Sequence, residues 1–278
     1  MPTKNGALSV SSSNDLLRST EAAWDRAAIK YRADVERDVE FLRGNGVSLS
    51  PNEIRVLGDV ANCSVAVHLQ CSHGLDALSL LNLGVREVVG VDLSSEMLSQ
   101  AERKSKLLGA RARWVRAAVL DIPNELDGIA DLVYTGKGAL PWVADLEQWA
   151  RSVHRVLRPG GRLFLHEGHP LNWILDTEAS VHRLRADGRG YFDRAPRIND
   201  DFPARATEHY SSPGDEVPKA WEYQWTIGAV VTALADAGLR VERLEEHGEH
   251  YWPQFRRIPD GELQRAPHSY SLLALKSS

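Results

Sequence analysis

Val65-Ala66-Val67-His68-Leu69-Gln70-Cys71-Ser72-His73-Gly74-Leu75-Asp76, followed by Val88-Val89-Gly90-Val91-Asp92, decides how this chain folds. An apolar run of strand length, a short loop, a helix start and a second apolar run ending in a carboxylate make one βαβ unit. Asp92 lies 18 positions after Gly74 (92 − 74). That is near the roughly 20-residue offset at which an acidic side chain meets the ribose of a nucleotide lying over the first loop. These residues point to an adenosine-containing cofactor, with Asp92 accepting hydrogen bonds from two vicinal hydroxyls.

What the loop lacks narrows the choice. A dinucleotide loop needs glycines so that the backbone can approach a pyrophosphate at the helix N-terminus. Here Gly74 is the loop's glycine, while Gln70, Ser72 and His73 carry side chains. A ligand without phosphates, such as S-adenosylmethionine, tolerates that loop better. Taken by itself, the same loop also reads as an ordinary βα turn.

Outward from this unit the chain alternates strand and helix. Strands are predicted at 65–70, 87–92, 112–117, 130–135 and 161–167, and helices at 74–83, 95–108 and 143–158. The alternation predicts an α/β fold, a Rossmann-like three-layer αβα sandwich on a mostly parallel sheet. A helix at about 221–237 and strands at Leu239–Glu245 and Ser269–Leu275 follow. With no helix between those two strands, they are expected to run antiparallel, giving seven strands with an antiparallel last one.

Three divisions are expected: a disordered lead over 1–14, an N-terminal helical cap over 15–54, and the main domain over 55–278. In the cap, apolar residues recur at helical spacing, and Ser50-Pro51-Asn52-Glu53 has the form of a helix start. Two aromatic-bearing inserts, about 170–220 and 248–266, interrupt the main domain. Loops of that length inside a domain are usually functional or mobile.

The 278 residues are 43% hydrophobic and 26% charged, with a net charge of −5, as in ordinary soluble domains. Basic residues are interspersed with acidic ones, so neither nucleic acid nor a membrane surface is an expected partner. Two cysteines, Cys63 and Cys71, fit a reducing cytoplasm and no metal site. No apolar run approaches the ~18 residues of a membrane span. Homo-oligomerisation stays open.

Several blocks together resemble the class I S-adenosylmethionine-dependent methyltransferases, over roughly residues 55–276. His68-Leu69-Gln70-Cys71-Ser72-His73-Gly74-Leu75-Asp76 looks like the His-Leu-Gln-Cys variant of the family's first motif, found in a bacterial small-molecule subgroup. Gly90-Val91-Asp92-Leu93-Ser94-Ser95-Glu96-Met97-Leu98 is similar to its second strand and following helix start. Ala117-Ala118-Val119-Leu120-Asp121-Ile122-Pro123 resembles the adenine-flanking segment, Asp131-Leu132-Val133-Tyr134-Thr135 the fourth strand, and Val156-Leu157-Arg158-Pro159-Gly160-Gly161 the turn before the fifth.

The resemblance implies methyl transfer from S-adenosyl-L-methionine, leaving S-adenosyl-L-homocysteine, with no metal. It implies a cofactor site of His68, Gln70, Cys71 and Gly74 at the methionine end and Asp92 at the ribose. Leu93, Met97, Ala118 and Val119 would meet the adenine, Thr135 and Gly136 would lie after the fourth strand, and Tyr31 would come from a closing helix. Departures stand beside these: His68 replaces the usual first-strand acid, and Ala118 stands where an acid is common, leaving Asp121 or the backbone near Val119 for the adenine amino group.

In-line transfer from a sulfonium needs alignment and water exclusion, and a base only for some acceptors. His169 and Glu167, at the end of the fifth strand, are the candidate base and its orienting partner; Glu167 is also read as a carboxylate facing a cationic acceptor. A His169 hydrogen-bonded to a neighbouring loop is the structural alternative. Lys137 is expected to be exposed or ion-paired. Trp173, Tyr191, Tyr223, Trp225 and Trp252 are candidate acceptor walls, suited to a flat ring or a cation. The expected acceptor is a small aromatic or heterocyclic metabolite of specialised metabolism, methylated at O, N or C. The alternatives are an NAD(P)-dependent oxidoreductase and a binding protein without turnover.

Overall fold

Nine strands and nine helices form over residues 13–277, the residues described by this computed structural model. The strands are β1 (Val65–Leu69), β2 (Glu87–Asp92), β3 (Ala112–Arg116), β4 (Ala130–Gly136), β5 (Leu157–Gly168), β6 (Arg197–Ile198), β7 (Trp221–Glu222), β8 (Leu239–His247) and β9 (Ser269–Lys276). The helices are α1 (Ser13–Ala27), α2 (Val35–Arg43), α3 (Pro51–Leu57), α4 (Leu75–Asn82), α5 (Ser95–Leu108), α6 (Leu146–Val156), α7 (Ala204–His209), α8 (Ile227–Asp236) and α9 (Asp260–Leu263). The lead expected over 1–14 lies outside the described residues except for Ser13 and Asn14, which open α1.

Seven strands make one sheet in the order β3-β2-β1-β4-β5-β9-β8. Every neighbouring pair is parallel except those made by β9, which runs antiparallel to both β5 and β8. The short β6 and β7 pair separately and antiparallel. The central strands β1, β2 and β4 are buried on both faces, and alternate residues of one strand serve opposite layers. Ala66, Leu132 and Tyr134 pack toward α3 and α4 with Val56, Leu57, Ala77 and Leu80. Val67, Leu69 and Val133 pack the other way, with Trp149 and Val153 of α6 and Val230 and Leu234 of α8.

Local chemistry sets the element ends. The Ser50 hydroxyl and the Glu53 carboxylate close a reciprocal capping box that starts α3. Ser94, Asp145 and Thr226 cap α5, α6 and α8 with a side-chain oxygen that accepts the N–H three residues on. The predicted 221–237 helix therefore begins six residues later, at Ile227, because Thr226 caps it while Trp221–Glu222 pairs with β6. The N-terminal region is α1 and α2 joined by a 3-10 turn, Ala28–Asp34. The connection between β8 and β9 does hold a helix, but α9 is one four-residue turn, too short to cross the sheet. No helix among the described residues is long and apolar enough to cross a membrane.

Gly90 marks the tightest contact in the first βαβ unit. A methyl group there would land on the Trp114 ring and 2.7 Å from Cys71 Sγ. Gly90→Ala is expected to destabilise the fold by about 1–3 kcal/mol through overpacking. A urea midpoint equal to that of the parent protein would show that Trp114 can swing away at no cost.

Candidate active site

The strand order reverses between β1 and β4, so loops from their carboxyl ends diverge and leave a crevice, the usual ligand position in open α/β sheets. A cavity of 1310 Å³ lies there. A shallower depression of 630 Å³ runs along α5 and β3 and touches none of the predicted site residues.

The loop after β1 is built on left-handed backbone. Gln70 (φ 56°), Ser72 (φ 51°) and Gly74 (φ 80°) alternate with ordinary residues. Such geometry in two non-glycine residues is uncommon and collects at functional sites. It turns the Ser72 N–H onto Asp92 Oδ2 at 2.7 Å, while the Ser94 N–H reaches Asp92 Oδ1 at 2.9 Å. Each carboxylate oxygen thus takes one backbone donor and keeps a lone pair for a ligand. Burial pushes Asp92 up to about 6, with Asp25 adding to it, against the pull of the Ser94, Ser72 and Leu93 N–H groups.

The wall opposite comes from β4. Gly138, Ala139 and Leu140 donate backbone N–H groups to the Glu167 carboxylate at 3.0, 2.7 and 2.9 Å. Gln70 Nε2 donates to the Ala139 carbonyl at 2.8 Å, clamping the two loops together. Beneath them, Lys137 Nζ meets Asp76 and the Ser48 carbonyl at 3.0 Å, with Glu53 at 3.6 Å. Burial alone would lower the Lys137 ammonium, but Asp76 and Glu53 hold it above the ordinary lysine value. Lys137 is ion-paired, as expected.

His68 lies edge-on to Tyr134 at 4.7 Å, and burial lowers it to about 4, so the ring is neutral. His68 Nδ1, Gln70 Oε1 and Thr135 Oγ1 are buried without a hydrogen-bond partner among the described residues. His68 pairs with Tyr134 in the sheet, so all three sit at adjoining strand ends. Orphaned polar atoms at one place are what a polar ligand would satisfy. From the N-terminal region, Tyr31 stacks on His73 with ring centroids 4.2 Å apart. Asp25 of α1 accepts from the Ser94 hydroxyl at 2.5 Å and the Glu96 N–H at 3.2 Å.

Most predicted residues share the cavity wall: Tyr31, His68, Gln70, Cys71, Asp92, Leu93, Met97, Ala118, Val119 and Gly136 on the loop side, and Glu167, His169, Trp173, Tyr223, Trp225 and Trp252 on the acceptor side. Gly74, Thr135 and Tyr191 do not line it. A Cβ on Gly74 would lie 2.6 Å from Ala101 Cβ and 2.7 Å from Trp114, so this glycine serves helix–strand packing. Thr135 is wholly buried, and Tyr191 offers its carbonyl to Gln224. Asp121 is exposed and off the wall, leaving the backbone of Ala118 and Val119 at that edge.

The pairing of His169 with Glu167 is corrected. His169 Nε2 meets Glu246 at 2.8 Å, and Nδ1 accepts from the Leu171 N–H at 3.1 Å. Both ring nitrogens are engaged in holding the first insert to β8. Glu167, with three backbone donors, is the anchor of the loop after β4. Residues that the periodicity does not single out complete the wall: Trp142, Phe202, Lys30 and Asp76. Trp24 packs edge-on against Trp142 at 5.3 Å and Phe202 at 5.4 Å. Phe202 comes from an insert whose path no local pattern announces, whereas Asp76, in the first turn of α4, carries the usual mark of a helix N-terminus.

Comparison with known proteins bears on this geometry. Residues 66–161 match the family model described as a methyltransferase domain. The chain is 39% identical over 84 residues to a demethylmenaquinone methyltransferase of Thermus thermophilus, covering 30% of this chain and 37% of that protein. It is 28% identical over 194 residues to the malonyl-[acyl-carrier protein] O-methyltransferase of Pseudescherichia vulneris, covering 64% of each. The matched stretches thus span about a third to just under two thirds of these relatives. Among solved structures, an S-adenosylmethionine-dependent methyltransferase from Mesorhizobium loti superposes with a TM-score of 0.59 at 22% identity, over 83% of this chain and 98% of that one. Geranyl diphosphate C-methyltransferase from Streptomyces coelicolor superposes with a TM-score of 0.53 at 15% identity, over 81% of this chain and 74% of that one. At those identities the structural likeness is one of fold.

Proposed function

We propose that this chain, whose residues 66–161 match a methyltransferase domain, is a class I S-adenosylmethionine-dependent methyltransferase that methylates a small aromatic or heterocyclic metabolite. The observation that carries the reading is Asp92, fixed by the Ser72 and Ser94 N–H groups with one face of each oxygen left for ribose hydroxyls. The orphaned His68 Nδ1 and Gln70 Oε1, both on the cavity wall, fit the polar methionine end of the same cofactor. S-adenosylmethionine supplies, when bound, an electrophilic methyl group on a good leaving group. The chain's own residues then orient and shield: Asp92 holds the ribose, Leu93, Met97 and Val119 border the adenine, and the Gln70–Ala139 clamp sets the floor between cofactor and acceptor. Trp24, Trp142, Tyr223 and Trp225 form aromatic walls that suit a flat acceptor and exclude water.

The test is a thermal-shift series with S-adenosylhomocysteine, S-adenosylmethionine and NADPH, followed by mass spectrometry of reactions with candidate metabolites. Stabilisation by both sulfur nucleosides, about 2.7 kcal/mol at a hundredfold excess over Kd, is the expected result. Stabilisation by NADPH alone would place the chain among nucleotide-dependent oxidoreductases. Binding with no methyl gain across the metabolite panel would make it a cofactor-binding protein without turnover.

A further inference from the structure

We infer that Glu222 is the acceptor-side carboxylate of this site, holding the protonated amine of an aromatic acceptor and taking its proton as the nitrogen is methylated. The inference rests on the methyltransferase reading and narrows its acceptor class.

Glu222 ends β7, lines the cavity and is 7% exposed. Its carboxylate accepts from Asn199 Nδ2 at Oε2, 3.0 Å away. Asn199 is itself fixed, because its Oδ1 accepts from the Ala204 N–H at 3.1 Å. The segment hangs on the chain that follows β4: the Tyr223 N–H donates to the Pro141 carbonyl at 2.7 Å, and Trp225 Nε1 to the Val143 carbonyl at 2.9 Å. Pro141 directly follows the Gly138–Leu140 stretch held by Glu167 and clamped by Gln70. Glu222 therefore faces the cavity one short link from the cofactor loop.

None of the arginines around it forms an ion pair with it among the described residues. Its cross-strand neighbour Arg197 gives Nη2 to Gln224 Oε1 at 3.0 Å, keeps Nη1 buried without a hydrogen-bond partner, and lies 5.0 Å from the Trp173 ring centre. Arg205 pairs with Asp201 at 3.4 Å. Arg189 lines the same cavity, and no ion pair joins it to Glu222 among the described residues. Burial pushes Glu222 up to about 7, and Asp200 and Asp201 push the same way, against Asn199 and Arg189. A buried carboxylate without a counter-ion is costly. Trp225, stacked with Tyr223 at 6.5 Å, already carries the Arg194 guanidinium over its ring at 5.6 Å, so an ammonium group beside Glu222 would relieve that cost chiefly by charge pairing. Glu167 and His169 have no such vacancy, since backbone donors and Glu246 occupy them.

In the step itself, one ammonium proton passes to the Glu222 carboxylate, and the freed nitrogen lone pair forms the nitrogen–methyl bond. The carbon–sulfur bond breaks, and sulfur keeps its electron pair. An N-methylammonium, a neutral thioether and a protonated Glu222 result, so charge is conserved.

The experiment uses calorimetry on the full chain with 2-phenylethylamine and its neutral counterpart 2-phenylethanol as probes. S-adenosylhomocysteine is titrated first; failure to bind it overturns the methyltransferase reading itself. On the protein loaded with it, the amine is expected to bind at least tenfold tighter than the alcohol, with the preference growing from pH 6 to pH 8 as Glu222 ionises. Glu222→Gln should abolish the preference and its pH dependence while leaving S-adenosylhomocysteine affinity unchanged. Glu222→Asp, which keeps the charge, should retain the preference. No preference in the parent protein, or one that survives Glu222→Gln, overturns the inference.

Discussion

Asp92→Ala should weaken S-adenosylmethionine binding by roughly 10- to 100-fold, that is ~1.5–3 kcal/mol, the size of lost charge-assisted hydrogen bonds. Two effects combine. The ribose loses its acceptor, and the Ser72 and Ser94 N–H groups, which fix the loop and the start of α5, lose theirs. The pH dependence separates the carboxylate from its shape. Burial raises Asp92 from its ordinary value to about 6 in the free protein, and only the ionised form accepts two hydroxyls. Affinity should therefore rise close to tenfold per pH unit below 6 and level off by pH 7. The contribution to folding has the opposite sign. A carboxyl raised on folding stabilises the free protein at low pH, and that stabilisation is lost as pH rises through 6. Titration calorimetry at pH 5, 6 and 7 on the parent and on Asp92→Asn checks both statements. A pH-independent affinity in the parent would remove Asp92 from the ribose.

Why was so much of this site legible beforehand? The first βαβ unit could be read because both of its signals are local. Val65–Leu69 and Glu87–Asp92 are apolar runs of strand length, and loop and carboxylate stand at a fixed offset. Their positions follow from the sheet once the strands are placed. Glu167 was legible as a residue at a strand end but not in its role. What its side chain does depends on the left-handed Lys137 (φ 56°), which folds the next three N–H groups back onto it. The partner of His169 is hidden from local pattern for a similar reason: Glu246 lies 77 residues away in sequence, on β8. The acceptor side was the least legible. Phe202 and Glu222 come from a region with two-residue strands and a six-residue helix, where no periodicity has room to show. Their positions are decided by long-range contacts such as Thr20 Oγ1 accepting from the Trp221 N–H at 3.0 Å.

The largest expected effect on stability lies beneath the loop, at Lys104 and Asp38. Both side chains are buried, and Nζ stands 2.7 Å from Asp38 Oδ2. The same ammonium reaches His73 Nδ1 at 2.5 Å and the His73 carbonyl at 3.0 Å. Burial works against both charges, yet the contact with Lys104 holds Asp38 below the usual carboxylate range. Lys104→Met would strand a buried carboxylate left with Arg37 at its edge and the His73 ring 3.6 Å away, and should cost about 3–5 kcal/mol, or a fall in Tm on the order of 10 °C. Asp38→Leu would strand the ammonium at similar cost. The double variant should cost much less than the sum of the two, since an apolar pair of similar volume needs no desolvation. It should not recover cofactor affinity in full, because the His73 carbonyl loses its donor and the ring on which Tyr31 stacks loses its tether. Urea denaturation of all four proteins, with S-adenosylhomocysteine titrations beside it, tests the two halves together. Additive losses of stability would mean that the two charges do not interact, and full recovery of affinity would detach this ion pair from the loop above it.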